Sequence, residues 1–540
     1  MQRVFANPTE IEKIAKKTYG IPDFLMMENA AASMSDFILS SWNKQNTSQP
    51  KVLIVCGKGN NGGDGYALAR KLQGKADIRV YCFEEPAQSV SEAYVQFEMC
   101  RKLGICFLQK EQLFAEIGAF DFIVDCLYGT GFHGELKPEA AELIKHLNQN
   151  PSSHCFKIAC DIPSAFFFKA DYTISMGTQK LCFYSDEAKQ ACGTIIVADL
   201  GLERNKFEQA NKSSSENTYS DTISEASSSP ICLIEKDDIK LPLRKNAAAH
   251  KGTYGHTAVF AGEKSGAAII AATAAMNYGS GLTTLVKTNN SNLEQFKISP
   301  ELMISNSIPV KTSCLVMGPG MNGLTELTQE ERAGFLEWFD KNEKAAVVFD
   351  AGIVSSEDFI PLLNELSKKI KSNKQDSSDT KLPRIVLTPH LSEFSRFCRN
   401  VKAASTSGYF DNKAFNFVDE DFSIDTLTKS PETKIKLGKM ITALFPNTTL
   451  VVKSANTFIF TAHGTSACET YIIADGAPSL AKGGSGDILA GMIGALLAQG
   501  YTAKEAAVTA CEVHALAAAS YGKESFDLTP EKLIAKIVSL

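Results

Sequence analysis

Short runs of aliphatic residues recur along this chain, most of them ending in glycine, aspartate or asparagine before a longer stretch of helical pattern. Residues 51–56 read Lys-Val-Leu-Ile-Val-Cys and stop at Gly57. Further strand candidates are 78–83, 122–127, 156–160, 172–175 and 194–198, and helical patterns such as 66–72 and 90–103 separate the first of them. This alternation predicts βαβ units and a mostly parallel sheet. Residues 205–230 break it. They are polar, Ser-rich and nearly free of large aliphatics, so they cannot bury enough surface to fold alone and are predicted to be a linker. From Ile231 the alternation resumes, with strands expected at 257–261, 282–286, 314–317, 346–349, 385–387, 449–452 and 471–474. Residues 371–381 are expected to form a polar surface loop, and 402–431, which lack clear periodicity, an insertion. The expected fold class is α/β in two domains, 1–204 and 231–540, joined by the 205–230 linker.

Composition narrows the function. A net charge of −6 leaves no electrostatic footprint for nucleic acid or an anionic membrane surface. The N-terminus carries charges where a signal peptide needs an apolar core. No uninterrupted apolar run reaches the roughly 18 residues of a membrane span. Residues 266–286 and 488–498 are the longest candidates and are read as buried helices. The 14 cysteines form no CxxC pair and the 8 histidines no HExxH, so reduced thiols and a cytoplasmic enzyme are expected, with no nucleic-acid or membrane partner.

Two glycine-rich segments carry chemistry. Gly483, Gly484 and Gly486 precede Asp487 and a long apolar run without proline. Glycines let backbone N–H groups converge, and a helix starting there adds its positive end, so an anion hole with a carboxylate at its lip is expected. That pair suits deprotonation of a hydroxyl about to receive a phosphoryl group. A bare GGxGD is equally a turn before a buried helix. The other segment, residues 57–65, reads GKGNNGGDG between a strand and a helix expected from Tyr66, the usual place for a nucleotide phosphate. Asn60, Asn61 and Asp64 add oxygen donors suited to a cation or a ligand hydroxyl. Asp125, followed by Gly129-Thr130-Gly131-Phe132-His133-Gly134, and Asp161-Ile162-Pro163-Ser164 lie at two further strand ends. All three would open on one crevice.

These N-terminal motifs, with LMMENAA at 25–31, resemble the NAD(P)HX epimerase family (the YjeF N-terminal domain). The resemblance covers roughly 1–204 and implies a Rossmann-like, three-layer domain that interconverts the R and S epimers of hydrated NADH and NADPH. It implies that Asn60, Asn61, Gly62, Gly63 and Asp64, together with Gly129, Thr130, Gly131, Phe132, His133, Gly134 and Glu135, hold the hydrated nucleotide. Asp161 would stand at the reacting ring, and Asn61, Asp125 and Ser164 would bind potassium. Lys180 matches a family lysine, with a solvated side chain as the alternative. The loop after Ser164 is shorter than the family's and is expected to place aromatics (166–168) beside the site.

The second half carries AHKGTYGH at 249–256, Gly318-Pro319-Gly320, Asp350-Ala351-Gly352, TPHLSEF at 388–394, KSANT at 453–457 and the GGSGD run. In that order they resemble the ADP/ATP-dependent NAD(P)HX dehydratase family (the YjeF C-terminal domain), over roughly 240–540 apart from 402–431. A ribokinase-like fold and nucleotide-driven removal of water from the S epimer are thereby implied. Ala267 (or Ala268), Gly320, His390 and Asp487 would contact the hydrated nucleotide. Lys453, Ser454, Ala455, Asn456, Thr457, Gly483, Gly484 and Gly486 would contact ADP or ATP, with Mg2+ on its phosphates. Asp487 and Asp161 are the expected catalytic residues. Gly352 replaces an acid usual in the family, and Lys482 could meet a phosphate or solvent. The resemblance also implies a homo-oligomer acting on NADHX and NADPHX. The alternatives are a ribokinase-like small-molecule kinase with a non-catalytic ligand-binding N-terminal domain, and a non-enzymatic scaffold.

Overall fold

The computed structural model describes residues 1–42, 48–88, 91–132, 134–149, 154–209, 230–342, 344, 346–372, 385–410, 420–462 and 468–540. His133 and most of the linker therefore lie outside the described residues, as do 373–381 of the predicted polar loop and 411–419 of the predicted insertion. Contacts divide the chain into two compact units, Arg3–Ala226 and Ser227–Leu540 with Met1–Gln2.

The first unit is built on a seven-stranded parallel sheet. Its order is Cys106–Phe107, Asp77–Cys82, Lys51–Cys56, Phe122–Cys126, Phe156–Cys160, Tyr172–Met176 and Thr194–Ala198. Residues of Lys51–Cys56 alternate between two cores. Val52, Ile54 and Cys56 pack in one with the helices Asp23–Ser41 and Asn60–Leu72, while Leu53 and Val55 pack in the other with Leu143, Ile144 and Leu147 of Pro138–Asn148. A strand covered on both faces has to be apolar at every position, which is why Val-Leu-Ile-Val-Cys shows no polar alternation. Strand order reverses between Lys51–Cys56 and Phe122–Cys126, and ligands of open α/β sheets bind in the crevice beyond such a switch point. Phe207 belongs to this unit's core, in the short helix Arg204–Gln209, beyond the expected boundary at 204.

The second unit's parallel strands run Met303–Ser305, Leu282–Lys287, His256–Ala261, Cys314–Met317, Ala346–Phe349, Ile385–Leu387 and Thr448–Val452, followed by antiparallel Thr457–Thr461 and Glu469–Ile473 and then Ile231–Leu233. Helix Ser485–Ala498 is apolar nearly all round because it is buried against both Ser265–Asn277 and the sheet. Residues 266–286 are not one buried helix. Ser265–Asn277 ends at the 279–281 turn, and Leu282–Lys287 is a strand. No helix among the described residues is long and apolar enough to cross a membrane.

Candidate active sites

In the first unit the helix begins at Asn60, six residues earlier than Tyr66. Gly57 to Asp64 therefore form no loose loop. A Cβ on Gly62 would lie 1.8 Å from the Gly57 carbonyl, so the glycines let the helix's first turn press against the strand end. Gly62 and Gly63 are buried and face inward, whereas Asn60, Asn61 and Asp64 line the cleft. That cleft, about 730 Å³ in volume, is walled on its far side by Gly129, Thr130, Gly131, Phe132 and Glu135, and its floor holds Asp161. Gly134 does not line it.

Two buried networks meet there. Asp125 is fully buried; it accepts from Ser164 N at 2.8 Å, Ser164 Oγ at 2.7 Å and Leu127 N at 3.2 Å. Burial pushes its carboxyl up to about 6 against those donors. The buried Asn61 carboxamide, which lines the cleft near Gly129, has no partner on Oδ1 or Nδ2 among the described residues. An unpartnered buried amide is costly. A desolvated carboxylate, a hydroxyl and a free amide oxygen make a donor set that fits a monovalent cation.

In the second network Lys180 donates to Asp161 Oδ1 at 2.6 Å, Ser175 Oγ at 2.7 Å and the Met176 carbonyl at 3.2 Å, which satisfies all three ammonium protons. Its side chain is only 1% exposed, so the solvated alternative does not hold. Asp161 also accepts from Met176 N at 3.1 Å and sits at φ 65, a left-handed backbone that non-glycine residues rarely adopt. Asp64 is pushed well above the usual carboxylate range by burial, then by Asp161 and Glu12.

The shortened loop departs from expectation. Ser164–Phe166 is a single tight turn, Phe168 packs into the core on the opposite face, and none of Phe166, Phe167 or Phe168 lines the cleft. Asn148 pins the loop by donating to the Phe167 carbonyl at 2.9 Å and accepting from Lys169 N at 2.8 Å. Ser164 bonds Asp125 and Asp161 lines the cleft with the loop in this short form.

In the second unit, Gly484 caps helix Ser485–Ala498 at φ 95, the left-handed conformation that glycine adopts without strain. The Lys482 carbonyl takes the Ser485 N–H and the Gly484 carbonyl that of Ile488. The Gly486 and Asp487 N–H groups lie between them at the helix's open, positive end. A Cβ on Gly486 would lie 3.3 Å from Lys453 Nζ, so an ammonium stands over this opening. Lys453 donates to Asp350 Oδ1 at 2.7 Å, and Thr388 Oγ1 donates to the same oxygen at 2.7 Å. Burial works against the Lys453 charge, yet Asp350, Glu393 and Asp487 hold it above the usual lysine range. Burial, aided by Asp350 and Glu393 and opposed by Lys453, pushes Asp487 up to about 7. A carboxyl poised near neutrality at an anion hole has the proton affinity that general-base chemistry requires.

His390 caps helix Leu391–Thr406, with Nε2 3.0 Å from Glu393 Oε1, and its backbone bridges Lys453. Its half-exposed ring leaves it open to a ligand. Ala267 is partly exposed and faces Gly320, whereas Ala268 is fully buried. Residues 453–456 form the turn between antiparallel strands, with Ser454 Oγ donating to the Asn456 carbonyl at 2.6 Å. Lys482 is exposed and donates to the Phe526 carbonyl at 3.0 Å, away from the hole.

Sequence reasoning missed His514. Burial pushes it down to about 4, so it is neutral, and Nε2 lies 3.0 Å from the Ser485 carbonyl, steadying the hole from behind. Nothing in its Ala-rich surroundings marked it. At Gly352, a Cβ would lie 2.5 Å from the Asn322 carbonyl and 2.6 Å from that of Met321. Backbone fills the space an acid would need. Gly352→Ala is expected to destabilise the second unit by about 1–3 kcal/mol, from overpacking, in a denaturant titration.

Residues 24–182 match the family described as YjeF-related protein N-terminus, and residues 257–539 match NAD(P)H-hydrate dehydratase. Along 557 aligned residues the chain is 31% identical to the bifunctional NAD(P)H-hydrate repair enzyme of Helicobacter pylori, covering 100% of both. The NAD(P)H-hydrate epimerase of Elusimicrobium minutum is 34% identical over 213 residues, 36% of this chain and 93% of that one. A solved ADP/ATP-dependent NAD(P)H-hydrate dehydratase from Bacillus subtilis is 22% identical, covering 54% of this chain and 91% of that one with a TM-score of 0.38. Fold and sites together define a two-domain α/β enzyme, one half built around a carboxylate–amide cleft and the other around an anion hole with its own base. The chain belongs to the family of bifunctional NAD(P)H-hydrate repair enzymes, an isomerase and a lyase in one polypeptide.

Proposed function

We propose that Asp161 serves epimerisation of hydrated NADH and NADPH in the first unit, and that Asp487 serves nucleotide-driven dehydration of the S epimer in the second. The observation that carries the second assignment is the Asp487 carboxyl, held near neutrality between Lys453 and an open helix N-terminus. Hydroxide is a poor leaving group and phosphate a good one. Asp487 takes the proton of the ring hydroxyl as that oxygen attacks the terminal phosphoryl of ADP or ATP, and the Gly486 and Asp487 amides stabilise the charge that builds there. Loss of phosphate with the adjacent ring proton then restores the dihydronicotinamide. Lys453 neutralises the transferring group, and residues 454–457 flank the nucleotide.

Asn61, Asp125 and Ser164 fit potassium through the orphaned Asn61 amide and the desolvated Asp125. A bound ion there supplies fixed positive charge to the cleft. For magnesium the fit is different. Among the described residues no group of three or more His, Cys, Asp or Glu side chains could hold a metal, so magnesium would arrive on the nucleotide's phosphates rather than in a protein cage.

Purified protein given separated R and S epimers, with and without ADP or ATP, tests the reading through recovery of dihydronicotinamide absorbance. No nucleotide-dependent recovery from S removes the dehydratase assignment. Recovery from R no faster than the spontaneous rate removes the epimerase assignment. Replacing potassium by tetramethylammonium is expected to lower the first unit's thermal midpoint. The loss corresponds to about 2.7 kcal/mol where potassium stood at about 100 times its dissociation constant. Asp125→Asn should abolish that difference.

A further inference from the structure

Among the cleft-lining carboxylates that no motif accounts for, Glu12 is one whose charge couples to Asp161. It sits on helix Pro8–Tyr19, where Ile11 and Ala15 turn into the core and carry Glu12 to the cleft's edge. Asp161 reaches the same cleft from a different element, the turn after Phe156–Cys160. The charged groups that act on Glu12 are Asp161 and the buried Lys180 behind it, Lys16 on its own helix, Asp23 on the next helix and Asp64 on Asn60–Leu72. Burial, then Asp161, raises its carboxyl above the usual range. Asp161 is pinned as an acceptor by Lys180 and Met176 N.

We propose that Glu12 is the second proton-transfer group of the epimerase, exchanging a proton with the substrate hydroxyl on one face of the ring while Asp161 does so on the other. This rests on the reading that the first unit epimerises hydrated nicotinamide nucleotides. Inverting the hydroxyl-bearing carbon requires the oxygen to leave one face and return on the opposite face. As a carboxylic acid protonates the hydroxyl, the C–O bond breaks, water departs, and the ring-nitrogen lone pair forms C=N. A second water adds to the other face and gives its proton to the carboxylate there, and the C=N electron pair returns to nitrogen. Over the cycle one proton passes from one carboxyl to the other, and the hydroxyl oxygen is replaced by solvent oxygen. No oxidant or reductant is needed. The working pair carries one proton in either direction, so kcat/KM falls when both carboxyls are protonated and when both are ionised.

The test uses the full chain, converting the R epimer in ¹⁸O-water without ADP or ATP so that the S product keeps its oxygen, and in a parallel assay with nucleotide so that the chain's own dehydratase reports the rate. Wild type is expected to place solvent oxygen in every epimerised molecule. Glu12→Gln is expected to lower epimerase kcat by about 10²–10⁴-fold with KM little changed, to lose one limb of the pH profile, and to leave dehydration of added S epimer intact. Glu12→Asp should recover part of the rate. Retention of the original oxygen in the epimerised product overturns the proposal, because it means the ring opened and reclosed instead. So does a Glu12→Gln enzyme of full kcat, or one altered only in KM. If Glu12→Gln fails to fold, the wild-type oxygen exchange and the Glu12→Asp pH profile decide. A wild type no faster than the spontaneous rate removes the epimerase reading itself, and is told apart because it is seen before any substitution.

Discussion

Asp487→Asn is expected to lower dehydration of the S epimer by about 10³-fold or more while leaving epimerisation unchanged. The asparagine keeps the size but cannot take the hydroxyl proton, so proton transfer, typically worth 10²–10⁴-fold, is lost at the step that begins phosphoryl transfer. Wild-type dehydration should rise with pH through about 7 and then level, because the base works only when ionised. Stability runs the other way. The folded-state pKa of Asp487 is raised above its unfolded value, so between about pH 4 and 7 the folded chain keeps a proton that the unfolded chain gives up. Its contribution therefore falls as pH rises through that window. Asp487→Asn removes this penalty and should stabilise the second unit at pH 8 but little at pH 4, measured by urea unfolding at the two values. A variant dead in dehydration yet more stable at pH 8 reports a carboxylate held there for chemistry. Loss of epimerisation as well would show that the two halves do not act independently.

Lys180→Met is expected to have the largest effect in the first unit. Lys180 is wrapped by Asp161, Ser175 and the Met176 carbonyl, with almost no exposure. Removing one member of a buried pair strands the other, at a cost of about 3–5 kcal/mol. The first unit's unfolding midpoint should fall accordingly, while dehydration of S epimer below that midpoint persists. Epimerisation should disappear even where the unit stays folded, because Asp161 loses the ammonium that aims it. The double variant Lys180→Met, Asp161→Asn should recover much of the stability and none of the activity. That pattern separates a positioning lysine from a merely structural one.

Much of the site was legible because glycine and aspartate leave marks where strands end. The segments after Lys51–Cys56, Phe122–Cys126 and Phe156–Cys160 converge as expected, since parallel neighbours with matched registers must open on one crevice. The antiparallel strand Thr457–Thr461 leaves little mark of its own in the sequence, because Thr-Phe-Ile-Phe-Thr follows directly on the KSANT turn with no helix between it and the preceding strand. The sequence points to a helix start at Tyr66 rather than Asn60, since glycine is a poor helix former in general and tolerated here only because the chain presses so closely on Gly57.

Sequence by itself determined the class of fold and marked the two glycine-rich segments and the carboxylates Asp161 and Asp487 as candidates, because short-range backbone demands write themselves into residue type. Tertiary structure alone decided the rest. It buried Lys180 against Asp161, set Lys453 over the anion hole, brought Glu12 to the cleft from a distant helix, put His514 behind Ser485, and filled with backbone the space beside Gly352. Each of these depends on residues far apart in the chain, and a side chain's charge and reach are fixed by what folding packs around it.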